Sequence, residues 1–285
     1  MTNIGRGGAA ATYHEWQTED LPAADGSNAR ISGDDASTTA AINAVRIGNY
    51  TQISDKVASV SGTDEATIQA GIKSSMARQV ALQMRSLKRD METILLANQA
   101  SSAGSSVAAR NLGGVPAWLV SNTSFGGGSG ADPTGTGTSL GTTARTDGTQ
   151  RVFTEDMLAT VQQSCWTNGG NPDMVLMGAF NKRKASGFTG VATKYKDAED
   201  KRIVASADVW EGDFGQVMFV PNRFQRARDA FVIDPEMWEV AYLRPVRDYP
   251  LAKNGDYERR QIITEYTLKC KNEKASGGVF DLTTS

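Results

Sequence analysis

The chain has 285 residues, 39% hydrophobic and 22% charged, and its 30 basic against 32 acidic side chains leave a formal net charge of −2. That length can bury a substantial core in one large domain or two modest ones, and the charge excludes a nucleic-acid binder that works through an overall polycationic surface. With 1 histidine and 2 cysteines, a disulfide scaffold is excluded and a Cys/His zinc cluster nearly so.

No apolar run approaches the roughly 20 residues needed to span a bilayer. Residues 1–8 (MTNIGRGG) lack the apolar stretch of a signal peptide. The expectation is a soluble chain made in a reducing cytoplasm. Residues 1–62 read as extended and thinly apolar, with 4 basic and 7 acidic residues. Tyr13 to Leu21 predicts a strand whose largest anchor is Trp16. Ala23 to Ala44 is Gly, Ser, Asp, Thr and Ala, with little to bury. Arg46 to Val60 predicts a second, β-branched strand. The two suggest an open hairpin without a core of its own. An isolated hairpin is marginal in water, so this arm must lie on something.

The strongest local signal follows. Thr63-Asp64-Glu65 offers an N-cap and first-turn acids. Ile68, Ile72, Met76, Val80, Met84, Leu87, Met91 and Ile94 then recur at helical spacing, which predicts a packed helix over residues 64–99. At 1.5 Å per residue such a rod would be roughly 54 Å long. A heptad coiled coil is the alternative, but the run of four-residue spacings drifts from a strict 3.5 period. A short apolar island, Val115 to Val120, comes next. Residues 121–149 are low complexity, 20 of 29 being Gly, Ser or Thr, and predict a long mobile loop that cannot offset its own ordering entropy.

From residue 150 the pattern becomes α/β. Thr154-Glu155-Asp156 caps a helix to about Trp166. Met174 to Met177 predicts a short buried strand, and Asn181 to Phe188 a basic helix. Val217–Val220 and Ala230–Ile233 predict strands joined by the basic stretch Arg223 to Arg228, and Val240–Leu243 another. In the final strand Ile262, Thr264, Tyr266, Leu268 and Cys270 alternate with more polar residues. There is no internal repeat.

No constellation of residues carries chemistry. Asp213-Phe214-Gly215 has the letters of a kinase magnesium motif without its companions and reads as a turn. The glycines of residues 135–141 have the wrong spacing for a dinucleotide loop, and no strand precedes them. His14 is the only imidazole, and no nucleophile elbow exists for it to serve. Cys165 and Cys270 each lie on an apolar face and read as reduced core thiols. Asp197, Glu199 and Asp200, between Lys196 and Lys201, read as a solvated loop rather than a metal site. Arg223, Arg226 and Arg228, with Asp229 and Asp234 nearby, read as a structural or inter-subunit salt-bridge cluster, with nucleic-acid contact as the alternative. Accordingly the chain is expected to use no cofactor or metal and not to be an enzyme.

Five segments carry a family resemblance. They are Tyr13-His14-Glu15-Trp16-Gln17-Thr18-Glu19-Asp20-Leu21, Arg46-Ile47-Gly48-Asn49-Tyr50-Thr51-Gln52-Ile53, Leu87-Lys88-Arg89-Asp90-Met91-Glu92, Val220-Pro221-Asn222-Arg223-Phe224-Gln225 and Arg259-Arg260-Gln261-Ile262-Ile263-Thr264-Glu265-Tyr266-Thr267-Leu268. In this order they resemble the major capsid proteins of tailed bacteriophages. The resemblance implies an α+β, Hong Kong 97-like (Johnson) fold. It also implies a shell subunit that assembles into hexamers and pentamers of an icosahedral capsid around double-stranded DNA.

The division it implies is an N-terminal arm and extended E-loop hairpin over residues 1–62. A spine helix and mobile loop of the peripheral domain would occupy residues 63–149, an axial domain 150–240, and return strands of the peripheral domain 241–285. Trp16, Tyr50 and Ile53 become candidate anchors of the arm on neighbouring subunits. Because the arm starts almost at Met1, the expectation is a separate scaffolding protein, the alternative being a sequence that is already short. A portal and a decoration protein are further implied partners, with weak nonspecific contact to packaged DNA and no membrane. The subunit would be made in the bacterial host cytoplasm and reside in the virion. The competing reading is the shell of an encapsulin-like cellular nanocompartment. A long arm without a cargo groove favours a virion.

Overall fold

The computed structural model describes residues 4–33, 35, 39, 41–67, 71, 74–188 and 209–285. In chain order, its first elements are β1 (Gly5–Gly8), β2 (Tyr13–Thr18), β3 (Val45–Tyr50), β4 (Gln52–Ser61), α1 (Gly62–Ala66) and α2 (Ser75–Leu95). Next come α3 (Val115–Trp118), β5 (Thr123–Ser124), α4 (Glu155–Thr167), β6 (Met174–Met177) and α5 (Ala179–Ala185). The last are β7 (Val209–Gly212), β8 (Gly215–Pro221), β9 (Ala230–Ile233), β10 (Trp238–Pro250), β11 (Tyr257–Cys270) and β12 (Gly277–Val279). They build a four-stranded sheet, β1-β10-β11-β4, a six-stranded sheet, β5-β12-β9-β6-β8-β7, and the separate hairpin β2-β3.

Periodicity explains most of these elements. On β11, Ile262, Thr264, Tyr266, Leu268 and Cys270 are all buried, one face of a long strand. β10 runs antiparallel to it and shifts register between Tyr242 and Arg247, where Pro245 stands without an N–H to give. The central strands β6 and β9 are apolar without alternation because both of their faces are covered. Met174, Phe231 and Ile233 face the largest core, whereas Val175, Met177, Ala230 and Val232 face a second core against α4 and α5. β6 lies between β8 and β9, parallel to the first and antiparallel to the second. The basic stretch after β8 is therefore a crossover and not a hairpin turn.

The predicted 36-residue spine is shorter. α2 has 21 residues, about 31 Å. Thr67 is extended after α1 and Gly71 has φ of 77°, so one helix does not run from 64 to 99. Local capping outcompetes continuation. The Ser74 hydroxyl accepts from the Ala77 N–H at 3.2 Å, and the Glu65 carboxylate accepts from Ser74 Oγ at 2.7 Å and from the Met76 N–H at 2.9 Å. Ile68 and Ile72 of the apolar stripe lie outside the described residues. The rest of the stripe packs as its spacing implies. Met76 and Leu87 are buried against Ala58, Val60 and Ile262, and Met91 and Leu95 enter the main core.

Two further expectations are corrected. The strand read over Arg46–Val60 divides at Thr51: β3 pairs with β2, while β4 pairs with β11. The hairpin β2-β3, which has no core of its own, lies on its own subunit, where Trp16 and Ile47 join the main cluster with Trp118, Trp238 and Tyr266. Finally, residues 241–285 do not all return to the four-stranded sheet, because β12 inserts beside β9 in the six-stranded one.

Candidate assembly surfaces

The candidate residues fall into two groups, one consumed inside the subunit and one facing outward. Trp16 is 9% exposed; its Nε1–H donates to the Cys270 carbonyl at 2.8 Å and its ring lies 5.6 Å from that of Trp118. It anchors the arm to its own subunit, which corrects the expectation of an inter-subunit anchor. Tyr50 is half-buried and stacks on Tyr13 at 4.7 Å, while its carbonyl accepts from Thr267 Oγ1 at 2.9 Å. Between them Asn49, fully buried, donates to the Leu268 and Gly113 carbonyls and accepts from the Gly113 N–H and Ser101 Oγ. A buried amide with every group satisfied fixes one position for the hairpin. Ile53 differs. It points outward from edge strand β4, 47% exposed, with Val57 two pleats along at 43%.

Arg226 and Arg228 converge on shared carboxylates. Arg226 meets Asp147 at 2.6 Å and Asp229 at 3.4 Å; Arg228 meets Asp147 at 3.1 Å and Asp281 at 2.7 Å. All these partners belong to the same chain. Burial pushes the Asp229 carboxyl up to about 7, and the neighbouring Arg226 offsets only part of that. Arg223 does not join the cluster: it is exposed, beyond the end of β8. The acidic group at Asp197, Glu199 and Asp200 lies outside the described residues. Among the described residues, no group of three or more His, Cys, Asp or Glu side chains is placed to hold a metal ion. Burial also raises the thiol of Cys165 to about 12 and that of Cys270 well above its ordinary value, so neither is a thiolate at neutral pH.

Sequence reasoning missed the way residues 121–149 are tied down. Arg145 is fully buried and pairs with Asp132 at 2.6 Å. It donates to the Leu119 carbonyl at 3.0 Å, and its guanidinium lies 3.5 Å from the Phe280 ring centre. The Asp281 carboxylate accepts from the N–H groups of Gly126 (3.1 Å) and Gly148 (2.8 Å), fastening both ends of the segment to the C-terminus. The glycines act in packing as much as in flexibility. At Gly141, with φ of 77°, a Cβ would lie 2.7 Å from the Trp118 ring. The expected free loop is thus a bound segment. The only signal in the sequence was the trio of charges, Asp132, Arg145 and Asp147, within an otherwise uncharged stretch.

Between Thr18 and Val45 runs a connection of 26 residues. Its described residues are exposed, including Leu21 at 88%, Ile31 at 78% and Ile42 at 48%. The segment is held at both ends by a buried hairpin while its described apolar side chains stand in water.

Comparison with known proteins identifies the kind of assembly. The family model described as SU10 major capsid protein matches residues 1–283. The chain belongs to the SU10 major capsid protein family. A curated major capsid protein of Escherichia phage Phieco32 is 27% identical over 303 residues, covering 94% of this chain and 85% of that one. Among solved structures, the capsid asymmetric unit of cyanophage A-1(L) aligns over 99% of this chain and 91% of that one, with TM-score 0.62 and 10% identity. A chain from Mycobacterium phage Cain aligns over 100% and 90%, with TM-score 0.60 and 11% identity. An encapsulin from Synechococcus elongatus aligns at TM-score 0.55 and 8% identity over 99% and 86%. The fold is the Hong Kong 97-like capsid fold, mixing helices and sheets, and the protein is a shell subunit of a phage capsid. As a major capsid protein it is a structural component of the virion and assembles with itself.

Proposed function

We propose that this subunit forms hexamers and pentamers that close into an icosahedral shell around double-stranded DNA, and that residues 19–44 reach over a neighbouring subunit as the E-loop. The observation that carries this is the exposure of Leu21, Ile31 and Ile42 on a connection whose two ends are locked by Trp16 and Asn49. In this reading residues 1–62 are arm and E-loop, and residues 63–149 with the strands after 241 form the peripheral domain. Residues 150–240, joined by β12, form the axial domain. Assembly uses a scaffolding protein and a portal, with a decoration protein as a further partner. The near-neutral charge supports weak, nonspecific contact with DNA. Membership of a major capsid protein family supports a structural role rather than an enzymatic one. Synthesis in the bacterial host cytoplasm accords with the two unpaired cysteines.

The register supplies a clean test. Thr18 and Val45 are directly paired, so residues 19–44 can be replaced by Asn-Gly, which closes a two-residue hairpin without disturbing β2 or β3. The replaced protein should melt like the parent and remain as subunits in negative-stain images. Normal closed shells from it would overturn the reading. The encapsulin likeness sets the second reading. Particles of the parent chain that carry a protein cargo and no nucleic acid would favour a nanocompartment.

A further inference from the structure

One face of this slightly acidic chain carries the opposite charge. Between α2 and the end of β8 lies a groove of about 840 Å³. Arg6, Lys88, Arg89 and Arg223 surround it, all exposed, and Tyr242 and Val246 contribute an apolar floor. The carboxylates on the flanking elements are already engaged. On α2, Glu92 accepts from Asn222 at 2.9 Å and Asp90 pairs with Lys56 at 2.7 Å. On β10, Asp248 pairs with Arg260 at 2.6 Å and Glu239 approaches Lys269 at 3.9 Å. Arg89 is held in place, its guanidinium 5.3 Å from the Phe224 ring centre. Four cations are thus gathered around an apolar floor, against one carboxylate in the lining, Glu92, which already accepts from Asn222. A ligand complementary to this groove is anionic, with an apolar side chain to cover the floor. A nucleic-acid backbone would satisfy the rim and leave the floor uncovered.

The chain itself exposes such a ligand. Glu19-Asp20-Leu21 leaves β2 as two carboxylates followed by a leucine that is 88% exposed. In its own subunit this stretch borders a different depression, against Lys274, which shares no lining residue with the basic groove. The bond that holds it there, Asp20 to Lys274 at 2.7 Å, joins two well-exposed side chains and is readily exchanged. We propose that the basic groove docks the Glu19-Asp20-Leu21 segment of a second copy of this chain, the carboxylates meeting Lys88 and Arg223 and Leu21 covering Tyr242 and Val246. This rests on the reading that residues 19–44 contact a neighbour, and it names the acceptor.

Charge exchange tests it. Lys88→Glu with Arg223→Glu should cut the yield of sedimenting shells at least tenfold, as should Glu19→Lys with Asp20→Lys. A chain carrying all four changes should recover at least half the parent yield, since each copy then presents both reversed partners. All four side chains are exposed, so melting temperatures should match the parent. A second measurement is independent of shell closure. A labelled peptide of residues 17–25 should bind the subunit in which Asn-Gly replaces residues 19–44, weaken as salt rises, and lose binding when Lys88 and Arg223 are reversed. A fourfold variant no better than the double variants, or peptide binding indifferent to the reversal, would overturn the proposal. If the Asn-Gly replacement stops assembly but the exchange restores nothing, the connection contacts a neighbour elsewhere: the function stands and this site falls. Groove variants that close normal shells but fail to retain DNA would assign the cations to phosphate and also overturn it.

Discussion

Residues 19–44 and 121–149 are both long and poor in large apolar side chains, yet the subunit treats them oppositely. The first leaves its described side chains in water. The second is fastened by Arg145 beneath Phe280, by Asp281 at both ends and by Asp147 against two arginines. Ordering a residue costs roughly 1–2 kcal/mol whatever its type. A few buried polar partners, correctly placed, therefore decide whether a low-complexity stretch becomes part of the fold. Where such partners are missing, the same kind of stretch remains available to a neighbouring molecule.

The largest test of this contrast is Arg145→Met. It keeps the length of the side chain but removes the cation from Asp132, which retains only the Thr123 hydroxyl, and the donor from the Leu119 carbonyl. A loss of about 2–3 kcal/mol is expected on chemical denaturation, below the roughly 3–5 kcal/mol for a fully buried pair because Asp132 keeps some contact with water. Limited proteolysis should cut the parent within 19–44 and the variant within both segments. An unchanged midpoint and cleavage pattern would show that Arg145 does not hold the segment.

Asp229, behind the same segment, gives an effect of middle size with a defined sign. Its carboxyl ionises near 3.8 when free and near 7 in the fold, because it is buried. A group whose folded value is raised adds stability that is fully present below the free value and is lost as pH rises through the folded one. The parent should therefore lose stability between about pH 4 and pH 7, by at most about 1.4 kcal/mol per pH unit. Asp229→Asn should flatten that slope. Parallel pH profiles for the two proteins would refute the assignment.

The smallest effect belongs to the exposed segment. Gly33 has φ of 86° and nothing within 4 Å of the Cβ position. Six Gly-Ser residues inserted there should change the unfolding free energy by no more than about 0.5 kcal/mol. A drop above 2 kcal/mol would mean that the connection is packed on its own subunit after all.

The sequence alone determined what is local. The apolar spacing of α2, the alternation of β11 and the non-alternating runs of β6 and β9 each specify which faces are buried, because periods of 3.6 and 2 follow from backbone geometry. Five short segments in order were enough to indicate the capsid family. What only the tertiary structure decided is which distant groups meet. Trp16 finds the carbonyl of Cys270, 254 positions away, so a residue that looked free to grip a neighbour is spent inside the subunit. β6 slips between β8 and β9, and Arg145 sinks beneath Phe280. The spine stops because Ser74 and Glu65 satisfy the N–H groups of a new helix start. In each case the local pattern admits several outcomes, and a hydrogen-bond or ion-pair partner that local spacing does not specify selects one, since an unpaired buried donor or charge costs more than any local preference returns.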